Sequence, residues 1–510
     1  MRLLSDARAG HYAASGAAAG ARGGRTSPAG AVWRFIGACL GGGTASRPGA
    51  SGANILADGL ARKSATAFAI QIVAIGLALL AQMLLARVLG VVQYGIYAYV
   101  FAWISLLSLL ATLGFEHGML RFASVYQARH MSGRLRRLIG YTQKQVLAAG
   151  GLISIVGLSI LIVFRQWLSP DLAWTFAIGV IAVPVIALLR VRSSLLRAFG
   201  AVASALIPNM CLREIAIIAL VLVIPIGLGF SLVASQAMAA WLVAAIFGLA
   251  FVAYRTAKAG AGSAQPDDNP AVDTDLNPTR EWLVPALTLL LISGTHLLLK
   301  RTDVMVIGAQ TGTTEAGVYA VAMYAAGLVI LPFTAINAVF GPVIASLHAR
   351  KERHELLQTA HSVARWALLA GLAIGAPLLL LAPTVLSLIG QEFAQGAAAL
   401  RILVIGHLVA TAFGPVELLV TMTGDERRGA VLYGIMVCAN VPLNILLIHL
   451  MGIEGAALAT ATVVITLKLL LASSVRRHLG IRLSPMAVFA DLDFSRRRPS
   501  GAAPADRRGT

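Results

Sequence analysis

The sequence predicts an all-α integral membrane protein with twelve transmembrane helices, arranged as two six-helix bundles related by a parallel pseudo-two-fold repeat. Three observations support this fold class: the number and length of the apolar stretches, the distribution of basic residues between them, and a motif that occurs once in each half. Of the 510 residues, 58% are hydrophobic and only 12% are charged, whereas about 25% are charged in a typical globular domain.

The apolar stretches have the length that a membrane crossing needs. A hydrocarbon core about 30 Å thick requires about 20 apolar residues per helix. Strands of membrane barrels are about ten residues long and alternate in polarity, so these evenly apolar runs predict helices. The predicted spans are 66–86, 94–116, 141–164, 172–190, 205–226, 231–253, 282–302, 316–340, 363–382, 398–422, 430–450 and 453–475.

Basic residues are concentrated in every second connection between the spans. The connections after spans 2, 4, 6, 8 and 10 hold eighteen Lys and Arg residues, and the others hold five: Arg87, Arg165, Lys300, Arg301 and Arg401. Because Lys and Arg favour cytoplasmic loops, this bias predicts a multi-pass protein of the bacterial inner membrane with both termini in the cytoplasm. An even number of spans agrees with that orientation.

The segments outside the spans divide the chain into five parts. Residues 1–60 are rich in Gly, Ala, Ser and Arg and lack hydrophobic periodicity, which predicts a disordered basic tail. Residues 254–281 carry four Asp among Pro, Gly and Ala, which predicts a flexible cytoplasmic linker between a first bundle, 61–253, and a second bundle, 282–475. Residues 476–510 are predicted to form a basic cytoplasmic tail.

A short repeat links the two predicted bundles. Its matched residues keep one offset of 222 positions: Gly90, Gly95 and Tyr97 in the first half, and Gly312, Gly317 and Tyr319 in the second. Each copy connects the first two spans of its half. Six spans restore the orientation of the chain, so the repeat is parallel, with its axis along the membrane normal. Two unrelated tight turns are the alternative, and the constant offset favours duplication.

Composition argues against several function classes. The formal net charge is +19, and the excess lies at helix ends and in the tails, where orientation signals and anionic lipids attract it; we expect no nucleic-acid partner. Cys39, Cys211 and Cys438 fit neither a disulfide framework nor a metal site. The sequence has no P-loop, HExxH or GxSxG motif, so we expect no cofactor, no metal and no catalytic residue.

Several short motifs occur in a fixed order along residues 60–480. They are LARVLG at 85–90, YGIY at 94–97, Asp303 with 307–308 and 317–319, and the segments 424–426, 440–444 and 452–459. Together they resemble the polysaccharide flippases of the multidrug, oligosaccharidyl-lipid and polysaccharide exporter superfamily. The resemblance implies two six-helix bundles in a V, with alternating access to a central cavity. It also implies a cargo of sugars carried on an isoprenoid pyrophosphate.

The sequence therefore favours a transporter over an enzyme. The leading hypothesis is a flippase that moves isoprenoid-pyrophosphate-linked oligosaccharide across the inner membrane for surface-polysaccharide biosynthesis. Its partners would be that lipid-linked oligosaccharide, anionic membrane lipids, a polysaccharide polymerase and glycosyltransferases. The alternative is a cation-coupled drug or metabolite antiporter of the same superfamily. A membrane polymerase or ligase acting on lipid-linked sugars fits less well, because every predicted outer connection is shorter than about 20 residues.

Charged residues inside the spans are the candidates for contact with an anionic cargo, because a charge at the bilayer centre costs about 2.5–3.5 kcal/mol on insertion scales. Arg213 in span 5 is interpreted as a cavity cation that binds phosphate, or as a member of a structural ion pair. Span 7 carries His296 and Lys300 as further cargo candidates and Asp303 as a coupling-ion candidate, at spacings that place all three on one helix face. A Lys300–Asp303 pair at the outer rim is the alternative, and Arg301 is expected at the lipid headgroups.

Three further charged residues remain ambiguous in the sequence. Glu417, just after Pro415 in span 10, is a second coupling-ion candidate, with helix–helix hydrogen bonding as the alternative. Lys468 in span 12 is interpreted as a cavity residue or as a side chain that extends to the cytoplasmic headgroups. Arg87 belongs to the structural motif at the outer end of span 1, where headgroup anchoring is the common role.

The charge bias generates a prediction about topology. Reporter domains fused at Gly262 and at the C-terminal tail should both report a cytoplasmic location, because both sites belong to the basic set of connections. Alkaline phosphatase and green fluorescent protein fusions at each site give opposite signals and control for expression. An extracytoplasmic signal at either site would contradict the predicted number of spans.

Overall fold

The computed structural model describes residues 52–227, 229, 231–261, 279–350, 352–422 and 426–479. The chain divides into two units, residues 1–56 and 57–510, and the following description concerns the second. Within the described ranges, every regular element is a helix. This agrees with the rule that backbone polar groups in lipid must be satisfied within the segment.

The described part of the first half contains seven α-helices. They are α1 (Gly52–Ala111), α2 (Phe115–Ala128), α3 (Ser132–Val163), α4 (Pro170–Ala198), α5 (Val202–Met210), α6 (Leu212–Val221) and α7 (Ala234–Ala261). Helices α5 and α6 form one span that is interrupted at Cys211, three residues after Pro208. Proline removes a backbone hydrogen bond, so an interruption near Pro208 is expected.

The second half, in its described ranges, begins with a short π-helical turn, Thr279–Leu283, and contains nine α-helices. They are α8 (Val284–Gln310), α9 (Thr313–Gly327), α10 (Leu331–Ala349), α11 (Arg353–Leu380), α12 (Ala382–Ser387), α13 (Ala397–Ala412), α14 (Val416–Met422), α15 (Glu426–Met451) and α16 (Ile453–Leu479).

Eleven helical stretches in the described part are long and apolar enough to cross a membrane. The first, Val73–Ala128, has 56 residues, which is more than twice the length that one crossing needs. It contains a break at Gly90, where φ is 71° and ψ is 173°. Counted as two, this stretch brings the spans to twelve, and the predicted all-α membrane fold is confirmed.

Several helices extend beyond the predicted boundaries; α3 begins at Ser132 and α11 at Arg353, nine and ten residues before the predicted spans. Helix α1 begins at Gly52, inside the predicted tail 1–60, and α7 continues to Ala261, inside the predicted linker. Residues 1–51, 262–278 and 480–510 lie outside the described residues. Helix α8 runs to Gln310, eight residues past the predicted end of span 7, because the residues after Asp303 are again apolar.

The two copies of the repeat have the same local structure. Gly90 and Gly312 both adopt positive φ, 71° and 115°, at the turn between the first two spans of each half. Positive φ strains residues that carry a Cβ, which explains glycine at both sites. The matched tyrosines of the two copies, Tyr97 and Tyr319, are both fully buried.

The repeat also provides a contact between the halves. A Cβ placed on Gly95 would lie 2.0 Å from the carbonyl oxygen of Thr313, and one on Gly317 would lie 2.7 Å from the Cα of Gly95. The two copies therefore pack backbone against backbone, and only glycine allows this approach. We call the side that carries this contact the outer side, in keeping with the predicted orientation.

Other side chains join the halves on the same side. Arg87 donates a hydrogen bond from Nη1 to the carbonyl oxygen of Leu388 at 2.6 Å, so it bridges the halves instead of only anchoring in headgroups. The ring of Tyr94 meets the ring of Phe393 edge to face, with centroids 6.1 Å apart. The outer side is thus closed by both backbone and side-chain contacts.

Buried apolar residues form two main clusters. The larger joins the first half to the outer part of the second, including residues 304–329 and 397–404. The smaller holds only the inner part of the second half, including residues 413–420 and 463–475. At the inner end, the start of the second half still contacts α2, because Trp282 Nε1 donates to the hydroxyl of Tyr126 at 3.0 Å. The halves therefore share a core on the outer side and around Trp282 and Ala286 at the start of the second half, whereas the rest of the inner part of the second half has its own core.

The glycine contact generates a stability prediction. Replacing Gly95 with Ala should lower the thermal unfolding midpoint of the purified protein, because its Cβ would overlap the Thr313 backbone and overpacking costs about 1–3 kcal/mol. Gly140 in α3 serves as the matched control, because a Cβ added there would meet open space. At that position, Ala should be neutral or stabilising. Equal midpoints for Gly95→Ala and Gly140→Ala would contradict the close contact.

Candidate functional site

Two arginines from different halves approach the same aromatic ring. The guanidinium carbon of Arg213, in α6, lies 4.6 Å from the ring centroid of Phe101, and that of Arg301, in α8, lies 4.8 Å from it. Phe101 is buried and packs against Trp241, with centroids 4.9 Å apart. Cation–π attraction stabilises each guanidinium in this position. We call Arg213, Arg301 and Phe101 the arginine–phenylalanine centre.

Arg213 has a carboxylate partner. Its Nη2 forms an ion pair with Oε1 of the adjacent residue, Glu214, which is 1% exposed. The second carboxylate oxygen of Glu214 has no hydrogen-bond partner among the described residues. This partner is the next residue on the same helix, and not a residue of a neighbouring helix. The pair leaves part of the Glu214 carboxylate unsatisfied.

Arg301 is placed differently from the prediction. It lies about nine residues before the end of α8, or about 13 Å at about 1.5 Å per residue, and therefore within the membrane. The prediction that Arg301 meets lipid headgroups is wrong, because span 7 continues past the charged cluster. Arg301 forms no ion pair with a described carboxylate, and its buried Nε has no hydrogen-bond partner there. The Tyr324 hydroxyl is its polar neighbour.

A small cavity adjoins the arginine–phenylalanine centre. Its volume is about 90 Å³, and its polar lining includes Ser105, Arg190, Asn209 and Arg213. This is room for a few water molecules. Arg190 lies 3.7 Å from the carboxylate of Glu116, so two of the cavity's cations have acidic neighbours. All lining residues belong to the first half of the chain.

The three charged residues that are predicted to share one face of span 7 differ in burial. Asp303 is 2% exposed, and its carboxylate accepts hydrogen bonds from the hydroxyl of Tyr319 at 2.7 Å and from Thr460 at 3.4 Å. Lys300 and His296 are exposed, and Lys300 does not pair with Asp303. The outer part of α8 packs against its neighbours, whereas its inner part is less buried. The alternative of a Lys300–Asp303 pair at the outer rim is therefore wrong.

The two halves of the repeat differ at the position of Asp303. The repeat offset of 222 residues places Ala81 and Tyr97 where the second half has Asp303 and Tyr319. The hydroxyl of Tyr97 is buried and finds no hydrogen-bond partner among the described residues. Only the second half therefore carries a carboxylate in this location.

Glu417 and Lys468 pair inside the second half. Lys468 Nζ lies 3.1 Å from Glu417 Oε1, and Lys468 is only 6% exposed. Its ammonium lies 5.1 Å from the ring centroid of Phe333. The side chain therefore turns into the bundle and does not extend to the headgroups. Nearby, His296 stacks on Tyr433 with ring centroids 4.3 Å apart.

Sequence reasoning missed Arg301 and Phe101 as members of one centre. A longer span 7 would have placed Arg301 in the membrane, since residues 304–307 are apolar and Gly308 can pack closely. No sequence signal singles out Phe101 among the aromatic residues of α1. Among the described residues, no group of three His, Cys, Asp or Glu side chains is placed to hold a metal ion.

Solved structures share this fold at low sequence identity. An inward-facing multidrug resistance MATE family transporter of the MOP superfamily superimposes with a TM-score of 0.63 and 18% identity, covering 82% of this chain and 96% of that one. The lipid II flippase MurJ, in an inward closed conformation, gives a TM-score of 0.57 and 15% identity, covering 85% and 93%. A MOP superfamily transporter from Pyrococcus furiosus gives 0.53 and 17%, covering 82% and 96%.

Sequence comparison gives the family. No curated protein matches the chain in sequence. The family model described as "Polysaccharide biosynthesis protein" matches residues 60–348, which is more than half of the chain. The protein is therefore a multi-pass membrane protein that shares its fold with structures of the MOP superfamily, and it belongs to the polysaccharide biosynthesis protein family.

Proposed function

We propose that this protein is a flippase that moves an isoprenoid-pyrophosphate-linked oligosaccharide across the bacterial inner membrane by alternating access. The observation that carries the proposal is the arginine–phenylalanine centre, in which each half of the chain contributes one guanidinium group to the same ring. The charges of the centre support an anionic cargo, and the packing of the two halves supports the route and the motion.

The electrostatics of the centre favour an anion. Two guanidinium groups near one ring repel each other, and the interior of a membrane protein screens that repulsion poorly. Arg213 shares its charge with Glu214, whereas Arg301 forms no ion pair with a described carboxylate and has Asp303 only as an electrostatic neighbour. A pyrophosphate carries several negative charges, and guanidinium groups bind phosphate oxygens with paired hydrogen bonds. Binding would offset the repulsion and supply the missing partner of Arg301.

The packing favours opening on the inner side. The outer side is closed by the contact of Gly95 with Gly317 and by the bond from Arg87. The inner part of the second half has its own apolar cluster, separate from the larger one. Apart from the contact of Trp282 and Ala286 with α2, the inner part of the second half shares no core with the first half, so we expect the halves to separate more readily there than on the outer side. The cavity of about 90 Å³ is far smaller than an oligosaccharide, so the cargo requires such a separation.

The remaining charged residues have subsidiary roles in this proposal. His296 and Lys300 are exposed on the inner part of α8, where they would contact the cargo after it enters. Asp303, hydrogen-bonded by hydroxyl and amide donors and with Arg301 as an electrostatic neighbour, is the candidate for a coupling ion. Glycosyltransferases would supply the cargo and a polysaccharide polymerase would consume it, with no chemistry catalysed by this chain. Both termini would lie in the cytoplasm.

A drug antiporter of the same superfamily is less well supported. Multidrug cargo is commonly cationic, and the two guanidinium groups of the centre would repel it. Glu214, the carboxylate nearest to the centre, is already neutralised by Arg213. Loss of Arg301 would then improve transport of a cation, which is the opposite of what the flippase proposal requires.

Substitution of Arg301 tests the proposed function. In proteoliposomes loaded with a fluorescent isoprenoid-pyrophosphate disaccharide, Arg301→Ala should reduce translocation at least about tenfold, since a hydrogen bond to a charged group is worth about 1.5–3 kcal/mol. Arg213→Ala should reduce it as well, and Arg301→Lys should retain part of the activity because phosphate also accepts a point charge. Protection of the probe from a membrane-impermeant quencher is the readout.

Arg192→Ala is the matched control. Arg192 is a half-buried arginine of α4 that bonds Gln143 and does not line the cavity. The Arg192→Ala variant should translocate the probe at close to the wild-type rate when equal amounts of protein are reconstituted. Wild-type translocation by well-folded Arg301→Ala protein would contradict the proposal. Faster uptake of a cationic dye by that variant would favour the antiporter instead.

A further inference from the structure

We infer that Lys468 acts as a built-in cation: its ammonium group occupies a monovalent-cation site formed by Glu417, Tyr433 and Phe333, so this site takes up no Na⁺ or K⁺ from solution. The inference concerns the second half alone and does not depend on the cargo. It removes Glu417 from the coupling-ion candidates.

The geometry of the site is that of a cation enclosed by the bundle. Glu417 Oε1 lies 3.1 Å from Lys468 Nζ, which is within ion-pair distance. The face of the Phe333 ring lies 5.1 Å from the same ammonium group. Tyr433 is a hydrogen-bonding neighbour of the Glu417 carboxylate. A carboxylate, a phenol and a ring face are all groups that attract a cation.

The site is held by four separate helices. Glu417 belongs to α14, Tyr433 to α15, Phe333 to α10 and Lys468 to α16. Helix α14 follows a break at Gly414, where φ is 69°, and an interrupted helix of this kind commonly borders an ion or substrate site. The pocket is therefore built by the fold of the second half and not by neighbouring residues on one helix.

The charges of the site balance without an ion from solution. Glu417 contributes the negative charge and Lys468 the positive charge, while α8 adds His296, which stacks on Tyr433, and the exposed Lys300. No second carboxylate joins Glu417 in a metal-binding group among the described residues. A Na⁺ or K⁺ ion would need the position that the ammonium already fills, and it would meet repulsion from Lys468.

A tethered cation differs from a diffusible one in a measurable way. A diffusible ion stabilises the folded protein in proportion to the logarithm of its concentration, once that exceeds the dissociation constant. The ammonium of Lys468 is always present, so the Glu417 site should not make the stability of the protein depend on which monovalent cation is in solution. Shortening the side chain would vacate the position and make the site respond to added ions.

Asp303 provides the contrast within the same half. Its carboxylate is buried, whereas the side chain of Glu417 is partly exposed, and its partners are the Tyr319 and Thr460 hydroxyls and the Val304 amide, with no ammonium group. The second half thus contains one carboxylate that pairs with an ammonium group and one that has only the Arg301 guanidinium as an electrostatic neighbour. The effects of substituting Glu417 and Asp303 should therefore be measured separately.

The test compares variants of Lys468 in different salts. The thermal unfolding midpoint of the detergent-purified protein is measured in NaCl, KCl and choline chloride at equal ionic strength. All variants carry Asp303→Asn, so that an ion bound at Asp303 cannot contribute, and the protein that keeps Lys468 should give the same midpoint in all three salts. Lys468→Ala should unfold earlier in choline chloride, and NaCl or KCl should raise its midpoint saturably by at least about 3 °C.

Two controls separate the vacated site from a general loss of charge. Lys468→Met removes the charge but fills the space, so it should not respond to Na⁺ or K⁺. The double variant Lys468→Ala with Glu417→Gln removes the carboxylate as well and should also give no response. In the Asp303→Asn background, a saturable Na⁺ or K⁺ effect on the protein that keeps Lys468 would overturn the inference, and so would a Lys468→Ala variant that unfolds alike in all three salts.

A second pair of variants keeps the test decisive if Lys468→Ala does not fold. In that case, Glu417→Gln alone should be less stable than the double variant Glu417→Gln with Lys468→Met, because it leaves a buried ammonium unpaired. Equal stability of these two would show that the ammonium is not held by Glu417. None of these measurements involves transport, so their failure is distinct from failure of the proposed function.

Discussion

The structure depends on holding two guanidinium groups near one ring inside a membrane. Such charges are costly in lipid, and they persist only beside water, partners or a ligand. Phe101 supplies a ring to both Arg213 and Arg301, and Glu214 neutralises the first of them. The helices that carry these residues must therefore converge, which requires close packing of the two halves. Arg301 has Tyr324 and Asp303 as polar neighbours but forms no ion pair with a described carboxylate, and the cargo's anion is the group best suited to pair with it.

Close packing of the halves is achieved by small residues at defined positions. Gly308 in α8 lies against the ring of Tyr99, because a Cβ there would be 2.2 Å from the ring, and Gly95 meets Gly317 across the repeat. Helices in lipid have no hydrophobic driving force for association, so such contacts between small residues are a principal source of the stability of the bundle. They close the outer side, while the inner part of the second half keeps its own core. This asymmetry is what an alternating transporter needs, since one side must separate while the other holds.

The sequence predicts the long, evenly apolar spans and the duplicated glycines well, because these are properties of local composition and backbone geometry. Gly90 and Gly312 both adopt positive φ, as their shared place in the motif suggests. The predicted end of span 7 is wrong because Lys300, Arg301 and Asp303 have the composition of a loop, although packing buries Asp303. The pairing of Glu417 with Lys468 could not be predicted, since it joins helices whose contact is decided only by tertiary packing.

The central claim is that the centre binds the anionic part of a lipid-linked cargo, and equilibrium binding tests it most directly. The measurement is the ratio of the dissociation constants of the purified protein for geranylgeraniol and for geranylgeranyl pyrophosphate, determined by isothermal titration calorimetry for the wild type and for Arg301→Ala. The account predicts that the wild type binds the pyrophosphate at least about tenfold more tightly, and that the variant loses most of this preference while binding the alcohol as before. Equal affinity of the wild type for the two lipids, or an unchanged preference in the variant, would contradict it.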